Sequence, residues 1–169
     1  MTFGFHCTAC GQVHEGIPTF GATAPLAYYS VPEAQRSELC KLDSDTCIVD
    51  DEFFFIRGCI EIPVHGQSEP LVWGQWVLLN EKDFKEWLGA RDQPKRSHLG
   101  PYPGLLDIAV RAYPEAMDFK TRVHLRDNGV RPYIELEPTN HPMALEQREG
   151  ITTERVAEIY RIMIHGSAA

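Results

Sequence analysis

Cys7-Thr8-Ala9-Cys10, followed by Gly11 and then His14, is the stretch whose residue types and spacing point most directly to chemistry. Two cysteines at this spacing, with a glycine that lets the chain double back, can aim both sulfurs at one tetrahedral ion, as a zinc knuckle does. A structural zinc takes four ligands, and the sequence holds no second Cys-x-x-Cys. Cys47, in the compact Asp45-Thr46-Cys47 segment, and His14, an imidazole four residues past Cys10, complete an expected set of Cys7, Cys10, His14 and Cys47. Cys40 can replace either of the last two. The competing readings make Cys47 a small buried hydrophobe and His14 a surface histidine. Cys59, within a strong strand pattern, reads as core, and His6 as a neighbour of the site rather than a ligand. Such a closed shell is structural. A catalytic zinc keeps a position open for water, and three thiolates would make the ion a poor Lewis acid.

A second constellation lies on the polar parity of the strands. Arg57 and Glu61 share one face of a strand, His124 sits between Arg122 and Arg126 at alternate positions of another, and Glu135 and Glu137 alternate with Ile134 and Leu136. His141 follows close behind. One reading is a solvated sheet face whose cross-strand pairs contribute about 0.2–1 kcal/mol each. The other is a cleft formed by Arg57, Glu61, His124, Glu135, Glu137 and His141. In a cleft, His124, Glu135, Glu137 and His141 could hold a second metal and activate water, or Arg57, Arg122 and Arg131 could clamp a carboxylate or phosphate with His124 as acid or base. The sequence has no Gly-rich phosphate loop, nucleophile elbow or metalloprotease helix.

These residues must be positioned by elements that the hydrophobic pattern outlines. Phe3 to His14 reads as strand, knuckle and returning strand, followed by a Gly/Pro-rich loop from Gly16 to Pro25 and a short helix from Pro32 to about Cys40. Phe53 to Val64 and Leu71 to Leu79 alternate as strong strands that can pair as a hairpin, with Trp73 and Trp76 on opposite faces. Asn80 caps a helix from Glu81 to Leu88. Residues 91–103 read as an exposed loop and Leu105 to Ala112 as a short helix. Phe119 to Arg126 and Val130 to Glu137 form a hairpin around Asp127-Asn128-Gly129, whose Asn and Gly accept positive φ. Helices are expected at Pro142–Arg148 and from Thr152 to about Ile164, the latter with a stripe of Val156, Ile159, Tyr160 and Met163. The pattern predicts a single α+β domain, 1–169, built on an antiparallel sheet with hairpins and a few short helices. Within it, residues 1–50 form a zinc-knuckle lobe and 51–169 the core.

The 169 residues, 43% apolar and 10% aromatic, suffice for a full core. A formal charge of −8, from 16 basic and 24 acidic residues, disfavours nucleic acid and anionic membranes and suits a basic protein partner or simple solubility. The N-terminus lacks the basic and apolar regions of a signal peptide, and no apolar run is long enough to span a bilayer. Five cysteines with one Cys-x-x-Cys fit a reducing compartment, so the expected location is the cytoplasm.

The motifs at 7–14, Ser44-Asp45-Thr46-Cys47, Phe54 to Gly58 with Glu61-Ile62-Pro63-Val64, Trp73-Gly74-Gln75-Trp76 and Ile134 to Pro142 resemble the bacterial domain-of-unknown-function family 2199. The resemblance runs along nearly the whole chain and implies a bacterial, single-domain, soluble protein, with no activity, cofactor or catalytic residue to carry over. Two function classes follow from the residues themselves. The first is a non-enzymatic binding module with structural zinc and a protein partner. The second is a small hydrolase or ligand-binding enzyme using the charged strand faces.

Overall fold

A computed structural model describes residues 2–166. The chain begins with a small hairpin, β1 (Gly4–His6) and β2 (Val13–Glu15), which forms a sheet of its own. Next come β3 (Thr19–Gly21), the helices α1 (Leu26–Ser30) and α2 (Glu33–Leu39), and two short strands, β4 (Cys40–Leu42) and β5 (Thr46–Val49). The long strands β6 (Phe53–Ile62) and β7 (Leu71–Leu79) follow, then helix α3 (Glu81–Ala90). The chain continues through β8 (Tyr102–Ile108), β9 (Ala116–His124), β10 (Tyr133–Leu136), α4 (Pro142–Glu149) and α5 (Thr153–His165).

Strands β6 to β10 form a meander that closes into a five-stranded barrel, because β10 pairs back onto β6. Strands of a meander alternate in direction, so with five of them the first and last run the same way. The closing pair is accordingly parallel, with Tyr133 opposite Cys59, while the other four pairings are antiparallel. Closure brings β10 hard against β6 at Gly58: a Cβ there would lie 2.9 Å from both the Pro132 carbonyl oxygen and Ile134 Cγ1. Only a residue without a side chain fits.

Alternation on β6 sends Ile56, Ile60 and Ile62 into the barrel, each fully buried with Trp73, Val123 and Ile134. The opposite parity builds a second, smaller cluster of Cys47, Val49, Phe55 and Trp76 outside the barrel wall, covered by α1 residues such as Ala27 and Tyr28. The two tryptophans therefore serve different cores, as their opposite parity required. Helix α3 packs Phe84 and Trp87 into the main core. It starts at Asn80, whose side chain accepts from the Asp83 amide at 2.8 Å. Helices α4 and α5 begin at His141 and Thr152, and each cap side chain accepts a backbone N–H.

Several expectations need correction. Leu105 to Ala112 is not a helix: Tyr102–Ile108 is a strand paired along β9, and the apolar residues that looked helical are claimed by barrel pairing. Of the first fifty residues only β1 and β2 stand apart, since β3 pairs with β7 and β4–β5 extend the sheet from β6. Cys40 caps α2, as its expected end at about Cys40 requires, and also begins β4. Within the predicted exposed loop, Arg96 is buried. Its Nε donates to the Arg126 carbonyl at 2.7 Å and its Nη2 to the Val130 carbonyl at 2.9 Å, so its charge fastens the β9–β10 turn. The turn itself is as read, with Asn128 and Gly129 both at positive φ.

Replacing Gly58 with Ala tests barrel closure. The added methyl meets backbone as well as a side chain, so the expected loss of unfolding free energy is about 1–3 kcal/mol in a denaturant titration. An unchanged midpoint would show that β10 can move away from β6 at no cost.

Candidate metal centre

The Cys7–Cys10 turn is closed by its own backbone. The Cys7 amide donates to the Gln12 carbonyl at 2.9 Å, and the Gly11 amide donates to the Cys7 carbonyl at 2.8 Å. Gly11 reverses the chain at φ 72°. The two flanking strands keep register, with Phe5 opposite His14. A two-stranded hairpin of this length is marginal alone. It is held against α5 by aromatic contacts, with Phe5 and His14 ring centroids 5.2 and 4.5 Å from that of Tyr160.

Beyond Tyr160, α5 ends at His165 and is capped by Gly166 at φ 75°. The donor atoms of Cys7, Cys10 and His165 all lie within 4.8 Å of one another. Among the described residues this is the one group of three His, Cys, Asp or Glu donors that close together. Cys7 is buried, whereas Cys10 and His165 are exposed. The Cys7 thiol is pushed down from its ordinary pKa, chiefly because the Cys10 backbone amide points at the sulfur; the Ala9 amide, the Cys10 side chain and the Arg161 charge add to this, and burial opposes it. Backbone amides directed at a sulfur favour the thiolate that binds metal.

His14, expected as a ligand, stands beside this group. Its Nε2 is 3.3 Å from Cys10 Sγ and its Nδ1 is 3.4 Å from the Tyr160 hydroxyl. Zinc bonds of about 2.3 Å to sulfur and 2.0–2.1 Å to nitrogen imply a tetrahedral S-to-N edge of roughly 3.5 Å, close to the Cys10–His14 separation.

Cys47 is elsewhere. Its place on β5 opposite Phe55 puts it in the second apolar cluster with no exposed surface, and burial, with Cys40 and Asp43 nearby, pushes its thiol up to about 12. A thiol held protonated in an apolar cluster is a packing residue. Cys40 pairs with Val49 and packs against the same cluster. His165 is the donor that sequence reasoning missed; its only signal was its position at the end of an amphipathic helix.

The polar strand residues separate into local partnerships. His124 Nε2 is 2.9 Å from Glu135 Oε2, Arg126 donates to Glu61 at 2.5 Å, and Arg131 donates to Asp45 at 3.0 Å. Arg57 lies 5.9 Å from the Trp76 ring centroid, and its buried Nε has no hydrogen-bond partner. His141 has both ring nitrogens occupied: Nδ1 accepts from the Met143 amide, which fixes the tautomer so that Nε2 donates to the Pro114 carbonyl. Glu135 and Glu137 line a surface groove together with Lys120 and Arg122. Neither His124 nor His141 lines that groove.

These environments predict a labelling order. In metal-free native protein a maleimide should modify exposed Cys10 rapidly and leave Cys47 untouched until denaturant is added, as read by peptide mass mapping. Native-state labelling of Cys47 at the rate of Cys10 would contradict its burial. Comparison with curated proteins and with solved structures gave no match. A protein family described as "Uncharacterized protein conserved in bacteria (DUF2199)" does match, over residues 6–151, a span that includes the Cys7–Cys10 turn and the barrel and stops short of α5 and His165. The chain therefore belongs to this bacterial DUF2199 family.

Proposed function

We propose that the protein is a zinc-stabilised binding module, in which Cys7, Cys10, His14 and His165 hold one structural zinc ion. The observation that carries this reading is the meeting of Cys7 and Cys10 with His165, donors from opposite ends of the chain, within 4.8 Å. Two thiolates and two imidazoles close a tetrahedral shell and leave no position for a reacting water, so the ion's work is mechanical. It joins a hairpin with little apolar material of its own to the last turn of α5, and through α5 to the barrel core. The Tyr160 hydroxyl lies against His14 Nδ1, so Nε2, 3.3 Å from Cys10 Sγ, is the nitrogen left to bind the ion, and such an outer contact orients a metal-bound imidazole. The net charge of −8 supports a basic protein as the partner rather than nucleic acid. No helix among the described residues is long and apolar enough to cross a membrane.

Cobalt titration followed by absorption tests the assignment. The expected result is one ion per chain with thiolate charge-transfer bands, at least about tenfold weaker binding in His165→Ala, and unchanged binding in Cys47→Ser. Zinc removal should lower the melting temperature, because the ion binds only the folded arrangement. Protein purified without chelator that contains no zinc, or a Cys47→Ser variant that loses the ion, would overturn the reading.

A further inference from the structure

Strands β7 and β8 are in ladder register at Leu78 and Leu105, and both residues line two neighbouring cavities. One is a slot of about 240 Å³ and the other a wider groove of about 950 Å³. Phe53, Leu78 and Leu105 line both, so the two cavities adjoin over an apolar floor, and we treat them as the two ends of one channel. Phe53 is 41% exposed, a large apolar side chain left uncovered at the centre of this surface.

The two ends differ in charge. The slot is walled by Phe55, Trp76 and small alanines, and its charged residues are Asp107 and Asp118. The Asp118 amide donates to Asp107 Oδ1 at 3.0 Å, which sets the two acidic residues side by side. A register shift between Leu106 and Ile108 falls at Asp107, a place where a bulge redirects a side chain. Neither aspartate forms an ion pair among the described residues.

In the groove, Lys120 and Arg122 are likewise without an ion pair among the described residues, although Glu135 is the register partner of Arg122. Glu135 is engaged by His124 instead. Thr121, between the two cations, also lines the groove; it is 5% exposed, and its Oγ1 has no hydrogen-bond partner among the described residues. Glu52 and Glu137 line the same groove, so a simple anion would meet repulsion there, and a simple cation would meet Lys120 and Arg122. A ligand with both charges and an apolar body meets Asp107 and Asp118 at one end and Lys120 and Arg122 at the other.

Spacing sets its length. Asp118, Lys120 and Arg122 occupy alternate positions of β9, on one face, so Asp118 and Arg122 are roughly 13 Å apart along the strand. A single amino acid is too short to reach between them, whereas an extended tripeptide spans roughly 10–11 Å and side-chain reach covers the rest. We propose that this channel binds a short zwitterionic peptide, with its ammonium at Asp107 and Asp118, its carboxylate at Lys120 and Arg122, and an apolar side chain in the alanine-walled slot.

Calorimetric titration of the intact chain with trileucine, N-acetyltrileucine and trileucine amide tests this. Trileucine should bind saturably, and each blocked peptide should bind at least about tenfold more weakly. Asp118→Asn keeps a side chain that tolerates the φ of 52° at this position and should abolish discrimination against the acetylated peptide. Arg122→Gln should abolish discrimination against the amide, with circular dichroism confirming that both variants stay folded. Absence of saturable trileucine binding, equal affinity for all three peptides, or variants that discriminate as the parent does would overturn the proposal. None of these residues is a metal donor, so that result would leave the zinc reading standing.

Discussion

Closure of the five-stranded meander is the constraint on which the rest of the molecule depends. An odd number of alternating strands can close only through a parallel pair, and here that pair is short and close, resting on Gly58 and the Ile134 side chain. Because the pair is parallel, β10 leaves the barrel at the same end as β6. The β6 end of this junction continues to Val64, which bridges to Ile151 just before α5. Closure thus fixes where the C-terminal helices start, and α5 carries His165 back to the N-terminal hairpin. The N-terminal hairpin and the last turn of α5 meet as a result.

Charge placement follows the same geometry. Residues that alternate into the barrel are apolar throughout β6 and β10, so every titratable group on those strands is directed to the outer wall and must find a partner there. Glu61 and Glu135 do so with Arg126 and His124. Such part-exposed pairs contribute little to stability, on the order of 0–1 kcal/mol each. Lys120, Arg122, Asp107 and Asp118, which line the two cavities beside β8, form no ion pair among the described residues. The channel runs along the β7–β8 seam, at Leu78 and Leu105.

Sequence pattern exposed the long strands, the capped helices and the Asn128–Gly129 turn, all of which depend on local periodicity or on backbone conformations that particular residues favour. It did not expose β3, β4 and β5, which are three or four residues long and exist only because a neighbouring strand pairs with them. Strand β8 was misread because Pro103 and Gly104 look like loop residues, whereas Gly104 is required where Val77 packs closely. Arg96 looked like a surface cation because nothing in its neighbours signals the distant carbonyls that bind it. At the candidate centre, Cys7 and Cys10 were legible from spacing, and His14, expected with them, lies beside the group. His165 lies more than 150 residues away and became a donor only through the fold, while Cys47, chosen for its local loop, was taken by the apolar cluster opposite Phe55.

The central claim is a ligand set of two sulfurs and two nitrogens contributed by both ends of the chain. X-ray absorption at the zinc edge of the zinc-loaded protein measures that set directly. The account predicts two sulfur scatterers at about 2.3 Å and two nitrogen scatterers at about 2.0–2.1 Å, with the imidazole outer-shell pattern reduced by half in His165→Ala. A shell of three or four sulfurs, or one dominated by oxygen, would contradict it.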